Sequence, residues 1–490
     1  MPEFFVPVSE LPYDPADAAS VLAWAETLRG KTLREIAGEM DVADALASDK
    51  GGFGKNLEVV AFRYKPNSEP GPDLPEAGVE IKSLPVVQSD MLKKDPSGWR
   101  PKERLQLHNI NYMEILGESW ETCSLRSKCA LMLIVTDEYV KGASSLDLVI
   151  KDAFLLEFPI ERDEPTIRAD WEYVHRMVEE GRAHELSSSA TTYLDVAPHG
   201  QGRGRDNTPQ PRSDEPAKRR GFALKQSYIR TVYAERSGGD YCPIPRKSGE
   251  SALTVEELIE RRYKPYIGLT RAQIAEKLGL SLSNAKNNLE LLNNAIFGLS
   301  RNQIAEEYGK AGYLVKSQNY EPTGTLTESI SFPYIRIEEL LAEQDWFESL
   351  FRSQISTRMC LTVWQKTVSD RRWKSDGGAG SPPTVLRGVV FVGIPDGVVD
   401  TAGRDVWERT REALLASDMS GLPTQEYNHL FHVRPHATKH QPKMVLPDGT
   451  EANKQCFWIN STHLRDLVLG SPYGHLLNVT NKKLVKKFRS

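Results

Sequence analysis

Apolar positions in this chain fall in short blocks separated by turn residues. The block Val79-Glu80-Ile81-Lys82 alternates apolar and polar side chains, the pattern of a strand with one face buried. It predicts a strand over Gly78–Val86. The continuous apolar runs Cys129–Thr136 and Val389–Ile394 predict buried strands, and Ser145–Ile150 a further one. Asp14–Gly30 predicts a first helix, with Asp14 as its cap, Pro15 in its first turn and Gly30 as its stop. Thr32–Met40 predicts a second, capped by Thr32. A third helix, Asn56–Phe62, follows a Gly-Gly-Phe-Gly loop. Thr166–Gly181 has the period of an amphipathic helix, and Gly221–Ala234 reads as helical for most of its length. Between these two, His199–Gly221 is rich in Gly, Pro, Arg and Lys and predicts a loop. Arg236–Ser251, with Gly, Pro and Ser, predicts an interdomain linker.

The pattern then recurs. Thr32-Leu-Arg-Glu-Ile-Ala37 is echoed by Thr270-Arg-Ala-Gln-Ile-Ala275, and Lys55-Asn-Leu-Glu58 by Lys286-Asn-Asn-Leu-Glu290. Ala77-Gly-Val-Glu-Ile-Lys-Ser83 is echoed by Ala311-Gly-Tyr-Leu-Val-Lys-Ser317. Val196-Ala-Pro-His199 returns as Val433-Arg-Pro-His436, and Phe222-Ala-Leu-Lys225 as Phe457-Trp-Ile-Asn460. The matches keep their order at offsets of about 230 to 240 residues, which predicts two copies of one domain rather than a solenoid. The expected layout is a first domain over 1–240, a linker over 241–258 and a second domain over 259–490. A chain of 490 residues has room for both.

Composition narrows the class. The apolar runs are too short to span a bilayer, and the start lacks a secretory pattern. Cys123, Cys129, Cys242, Cys360 and Cys456 are scattered and lack CxxC spacing, which predicts a reducing, cytoplasmic setting without a zinc frame or disulfides. His432, His436 and His440 are spaced like ligands on a helix face, but Pro435 breaks any helix there. The net charge of −5 neither supports nor excludes a nucleic-acid partner.

The strongest chemical signal is Asp73, Glu80 and Lys82. Glu80 and Lys82 project from one face of the predicted strand, and Asp73 precedes it closely enough to fold back beside them. Two carboxylates so placed suit one or two hard cations such as Mg2+. A neighbouring lysine suits the orientation of water or the stabilisation of charge on phosphorus. Glu58, on the preceding helix, offers another carboxylate. The same spacing also fits a solvated, charged strand face.

Asp49-Lys-Gly-Gly-Phe-Gly-Lys-Asn-Leu-Glu58, followed by Pro72-Asp-Leu-Pro-Glu-Ala-Gly-Val-Glu-Ile-Lys-Ser-Leu-Pro-Val86, resembles the core of the MutH family of DNA endonucleases. Trp120-Glu-Thr-Cys-Ser-Leu-Arg-Ser-Lys128, Asp170-Trp-Glu172 and Arg220-Gly-Phe-Ala-Leu-Lys225 resemble further family segments in the same order. The whole is similar to the tandem, two-copy type II restriction endonucleases of that family. This resemblance implies an α/β chain with two restriction-endonuclease-like domains, each a central mixed sheet flanked by helices. It implies a type II site-specific deoxyribonuclease acting on double-stranded DNA with Mg2+. Asp73, Glu80 and Glu58 would hold metal, with Lys82 as catalytic lysine and Lys128 as a second basic residue, unless Lys128 only precedes a buried strand. Lys50, His199, Arg203, Arg205 and Lys225 would contact DNA, as would Arg434, His436 and Trp458 in the second copy; Lys50 also fits a solvated loop. The implied target is GATC or a close relative. Ala197 and Ala223 depart from the family pattern and leave that choice open. The second copy has Leu314 in place of Glu80, with Lys316 retained and Glu307 as a candidate for the place of Asp73. It is therefore expected to hold DNA as an effector without cutting. One active centre per chain implies that a second copy joins on DNA. A strand-nicking repair or modification-dependent nuclease and a non-catalytic DNA-binding defence sensor are the alternatives.

Overall fold

The computed structural model describes residues 6–38, 52–63, 71–92, 94–198, 207–281, 288–301, 303–436 and 441–488. The chain forms two compact units. Unit 1 holds Met1–His184, Thr192–Pro243 and Ile304–Ala311; unit 2 holds Glu185–Thr191, Ile244–Gln303 and Gly312–Ser490. Among the described residues no helix is long and apolar enough to cross a membrane.

Unit 1 opens with α1 (Ala18–Thr27). Asp17, not Asp14, caps it, accepting from the N–H groups of Ala19 and Ser20. Asp14 instead closes the preceding turn onto the Ala16 N–H. Thr32 and Glu35 form a reciprocal capping box on α2 (Leu33–Ala37). Then come α3 (Phe53–Val60), β1 (Val79–Gln88), β2 (Trp99–Pro101), β3 (Leu105–Asn109), α4 (Ser124–Cys129), β4 (Leu131–Glu138) and β5 (Ile150–Glu157). One sheet has the order β2-β1-β4-β5, with β1 and β4 parallel and the other pairs antiparallel. Val79 and Ile81 pack into a core with Leu33, Leu57, Leu133 and Val135. Their neighbours Glu80 and Lys82 therefore lie on the other face of β1.

After α5 (Glu164–Glu179) come β6 (Leu194–Pro198), β7 (Asn207–Gln210), β8 (Ser213–Lys218), β9 (Arg220–Leu224) and α6 (Gln226–Arg236). β3, β9 and β6 form a second, antiparallel sheet. The two-residue strands β10 (Tyr241–Cys242) and β11 (Ile304–Ala305) pair in parallel.

Three local expectations need correction. Ser145–Asp147 is a single 3-10 turn begun by the Ser144 side chain, and strand structure starts only at Ile150. Gly221–Ala234 is helical for most of its length, from Gln226 onward, but its first residues belong to the strand Arg220–Leu224, which is buried along its whole length and carries no alternation to mark it. The described part of the basic 199–221 stretch is the β7–β8 hairpin, turning at Arg212 with φ 59°. Arg220 is no loop residue. It is 1% exposed and donates from Nη1 to the Val196 carbonyl at 2.6 Å.

Unit 2 contains β12 (Leu314–Tyr320), β13 (Ile330–Tyr334), β14 (Met359–Lys366), β15 (Thr384–Val392), β16 (Phe431–Arg434), β17 (Lys443–Val445), β18 (Glu451–Asn453) and β19 (Cys456–Ile459). β12 runs parallel to β14, and β14 antiparallel to β15. β13, β19 and β16 form an antiparallel sheet, and β17 pairs with β18 as a hairpin. These pairings repeat, in order, β1-β4-β5, β3-β9-β6 and β7-β8 of unit 1. Thr270 and Gln273 form a capping box, as Thr32 and Glu35 do. Thr270 bridges Val385 antiparallel, as Thr32 bridges Val149.

Glu307 precedes β12 on a helix, not in a turn of the kind that holds Asp73. It lies on the short helix Glu306–Ala311, buried within unit 1. That helix carries Lys310, which is 1% exposed. Its ammonium lies 2.5 Å from both Asp163 Oδ2 and Glu306 Oε1, and the Tyr228 hydroxyl donates to the same Asp163 oxygen at 2.8 Å. Removing one member of such a buried network strands the others. Lys310→Met should therefore destabilise unit 1 by about 3–5 kcal/mol. Calorimetry would show this as a lowered melting transition, and an unshifted transition would contradict it.

Candidate active site

The reaction-side face of β1 is set by a tight turn. Leu74 and Val79 exchange backbone hydrogen bonds of 2.9 and 3.1 Å across it, and Gly78 takes φ 67°, which favours glycine. This closure brings Asp73 back onto the strand. Its N–H donates to Glu80 Oε2 at 3.1 Å, and its Oδ2 accepts from the Ile81 N–H at 2.9 Å. The spacing of Asp73 and Glu80 is thus the length of this turn.

Lys82 Nζ donates to Glu80 Oε1 at 2.7 Å. Lys128, in the last turn of α4, places Nζ 3.6 Å from the same oxygen. Glu80 is only 2% exposed, so this is not a solvated charged face. Gly54 sets α3 against the same strand: a Cβ there would lie 2.8 Å from Ser83 Oγ. Glu58 is one helical turn on from Gly54 and shares its face.

The charges report on one another. Burial foremost, then Asp73 and Glu80, push the Glu58 carboxyl up to about 7 against the pull of Lys82 and Lys128. Burial and then Glu80 push Asp73 up to about 6, against the Ile81 N–H and the two lysines. Burial pulls Lys82 down, but Glu80 foremost outweighs it, and the ammonium ends above its ordinary value. Glu58, Asp73 and Glu80 thus outnumber the ammonium groups of Lys82 and Lys128. This surplus of buried negative charge is what a hard cation would relieve. Among the described residues no group of three or more His, Cys, Asp or Glu side chains is arranged to hold a metal ion. The carboxylate oxygens present are nonetheless the donor type that a hard cation takes.

The structure brings Glu58, Asp73, Glu80, Lys82 and Lys128 together. It adds two residues that sequence reasoning missed. His108 on β3 is one: burial, and then Lys128, hold its imidazole below the ordinary histidine value. Cys129 is the other, its buried thiol donating to the Leu107 carbonyl at 3.7 Å and pushed up to about 12 by burial. No motif marked either; only the fold makes them neighbours.

Of the other expected contacts, Lys225, Arg434, His436 and Trp458 are among the described residues. Burial pushes the Asp170 carboxyl up to about 6, against the pull of Lys225, which precedes α6. That buried carboxylate accepts from the N–H groups of Thr192, Tyr193 and Leu194. In unit 2 the Arg434 guanidinium lies 4.2 Å over the Trp458 ring, and the indole donates to the Arg434 carbonyl at 2.9 Å. His436 meets the same ring edge-on at 5.1 Å. Lys50, His199, Arg203 and Arg205 lie outside the described residues.

Residues 62–170 match the family model described as DNA mismatch repair enzyme MutH. The type II restriction enzyme Sau3AI of Staphylococcus aureus is 27% identical over 488 residues, covering 90% of this chain and 96% of that protein. The DNA mismatch repair protein MutH of Salmonella paratyphi A is 31% identical over 192 residues, covering 38% of this chain and 78% of that protein. Its counterpart from Escherichia coli K12 is 29% identical over 188 residues, covering 38% and 76%.

The raised carboxyls give stability a pH signature. Glu58 and Asp73 keep protons in the folded chain at pH values where an unfolded chain, with carboxyl values of about 4, has lost them. Their contribution is present at low pH and is lost as pH rises from about 4 through the folded values of about 6 and about 7. The metal-free protein should melt lower at pH 8 than at pH 6, and a divalent cation should restore the midpoint at pH 8. Asp137 and Glu235, also raised to about 7, slope the same way. The diagnostic is therefore Glu58→Gln, which should flatten the fall; a curve identical to wild type would refute the assignment.

Proposed function

The chain belongs to the MutH family, and from that premise we propose that it is a Mg2+-dependent type II restriction endonuclease that hydrolyses phosphodiester bonds of double-stranded DNA. The observation that carries this reading is the buried cluster of Glu58, Asp73, Glu80, Lys82 and Lys128 around β1. Asp73 and Glu80 would hold the cation, with Glu58 beside them. The bound cation would supply Lewis-acid polarisation of the scissile phosphate. Lys82, fixed on Glu80, orients the attacking water by hydrogen bonding and places positive charge where the phosphate gains negative charge. Lys128 reinforces that charge from the other side of the Glu80 oxygen. Donors that are all carboxylate oxygens favour Mg2+ over softer metals.

Likeness to a restriction enzyme over 90% of the chain, against likeness to MutH over 38% of it, favours restriction over mismatch-directed nicking. The complete set of acidic and basic groups argues against a non-catalytic sensor. GATC or a related short site is the proposed target. Unit 2, with Leu314 where unit 1 has Glu80, is the second, non-cutting copy. Its Arg434, His436 and Trp458 form a cation and aromatic surface suited to holding DNA. With one active centre per chain, cutting both strands calls for a second copy of the protein on DNA.

Glu80→Ala should reduce cleavage by at least about 10²–10³-fold, on the scale of losing one transition-state-stabilising group. Duplex binding should persist in gel-shift assays. Normal cleavage by this variant would remove the central claim. Mapping the ends produced from unmethylated and adenine-methylated plasmid tests the target: cuts that ignore GATC would exclude it.

A further inference from the structure

Unit 2 keeps a lysine where its active centre would be, but in a reversed electrical setting. Lys316 is the third residue of β12, two after Leu314. β12 pairs in parallel with β14 as β1 does with β4, so Lys316 stands in its sheet as Lys82 does in the first. In unit 1 the Glu80 carboxylate binds the lysine at 2.7 Å. In unit 2 the apolar Leu314 packs against the core instead. Lys316 is partly buried, and among the described residues no ion pair to it is found.

A second orphaned donor lies on the same strand face. Gln318 is 2% exposed. Its Oε1 accepts the Tyr320 hydroxyl at 2.9 Å, while its buried Nε2 has no hydrogen-bond partner among the described residues. A buried amide N–H left unpaired is costly, and a native structure normally finds it an acceptor. Lys316 and Gln318 thus present a cation and a neutral donor on a face that has lost its carboxylate.

We infer that this face of β12 is a phosphate-binding subsite, in which Lys316 and Gln318 hold a DNA backbone phosphate directly, without metal. In unit 1 the Glu80 charge repels a phosphate unless a cation intervenes. In unit 2 substitution by leucine removes the repulsion and leaves the ammonium available. The inference rests on the proposed DNA-holding role of unit 2 and assigns that role a phosphate contact apart from Arg434, His436 and Trp458.

The test uses the full-length protein in EDTA, with fluorescence anisotropy of a short duplex across a salt series. Lys316→Met should raise Kd about 5-fold at low salt and lower the slope of log Kd against log salt by about 0.9, the release expected for one phosphate contact. Lys316→Arg should restore both. Gln318→Leu should raise Kd with the slope unchanged, because an amide displaces no counterion. Thermal midpoints should stay at the wild-type value in the Lys316 variants, whereas Gln318→Leu also strands the buried Tyr320 hydroxyl and should lower its midpoint. Wild-type binding with an unchanged Kd and slope in Lys316→Met would overturn the subsite. So would a loss that Lys316→Arg does not rescue. A wild-type chain that fails to bind duplex at low salt would instead overturn the DNA-holding reading itself.

Discussion

Burying the Glu80 carboxylate is the constraint around which the first unit is arranged. A lone ion at 2% exposure costs several kcal/mol, and that cost must be met by partners of fixed geometry. The Asp73 N–H, Lys82 and Lys128 meet it from three directions. Each arrives by a different structural route: a turn closed by Leu74 and Val79, the next same-face position of β1, and the end of α4. The partners still leave a surplus, because Asp73 and Glu58 bring further negative charge into the same shielded space. The surplus is visible in the protons that both carboxyls retain to about 6 and about 7. In a site built this way, any cation would be drawn by the uncompensated charge.

The core enforces the arrangement. Val79 and Ile81 are buried against Leu33, Leu57, Leu133 and Val135. A register slip of one residue would send Glu80 and Lys82 into that apolar layer and expose the two aliphatics. Register is therefore fixed by hydrophobic burial on one face, and chemistry is fixed as a consequence on the other. Gly54 extends the same logic to α3. Its missing side chain lets the helix approach Ser83, and Glu58 comes with it.

This coupling explains what could be read before any coordinates. The alternation in Val79–Lys82 encodes a strand and its two faces at once, so the acid and the lysine were legible together. Thr32 was legible as a cap because its hydroxyl and the Glu35 side chain satisfy helix N–H groups locally. The misreadings fell where local pattern is mute. Arg220–Leu224 is buried on both faces between β3 and β6, and such a run shows no period. Asp14 and Asp17 are both plausible caps, and only the helix start at Ala18 chooses between them. His108 and Cys129 reach the site through sheet pairing and helix packing, which no spacing records.

The internal repeat shows the same division between what the fold demands and what chemistry demands. Thr32 and Thr270 each cap a helix and bridge a strand. Gly78 and Gly312 take φ 67° and 64° just before β1 and β12, where a side chain would be strained. Val196 and Val433, and Phe222 and Phe457, are buried on matching strands of the antiparallel sheets. These positions agree between the halves because the backbone and the core require them. Glu80 and Leu314 differ at a position whose side chain the strand does not need, facing a space that either a charge or an aliphatic group can fill. The first choice requires compensating cations; the second removes that requirement and leaves its lysine unspent. A duplicated fold can therefore lose its acid without losing its architecture, and the charge it keeps remains available to an anion.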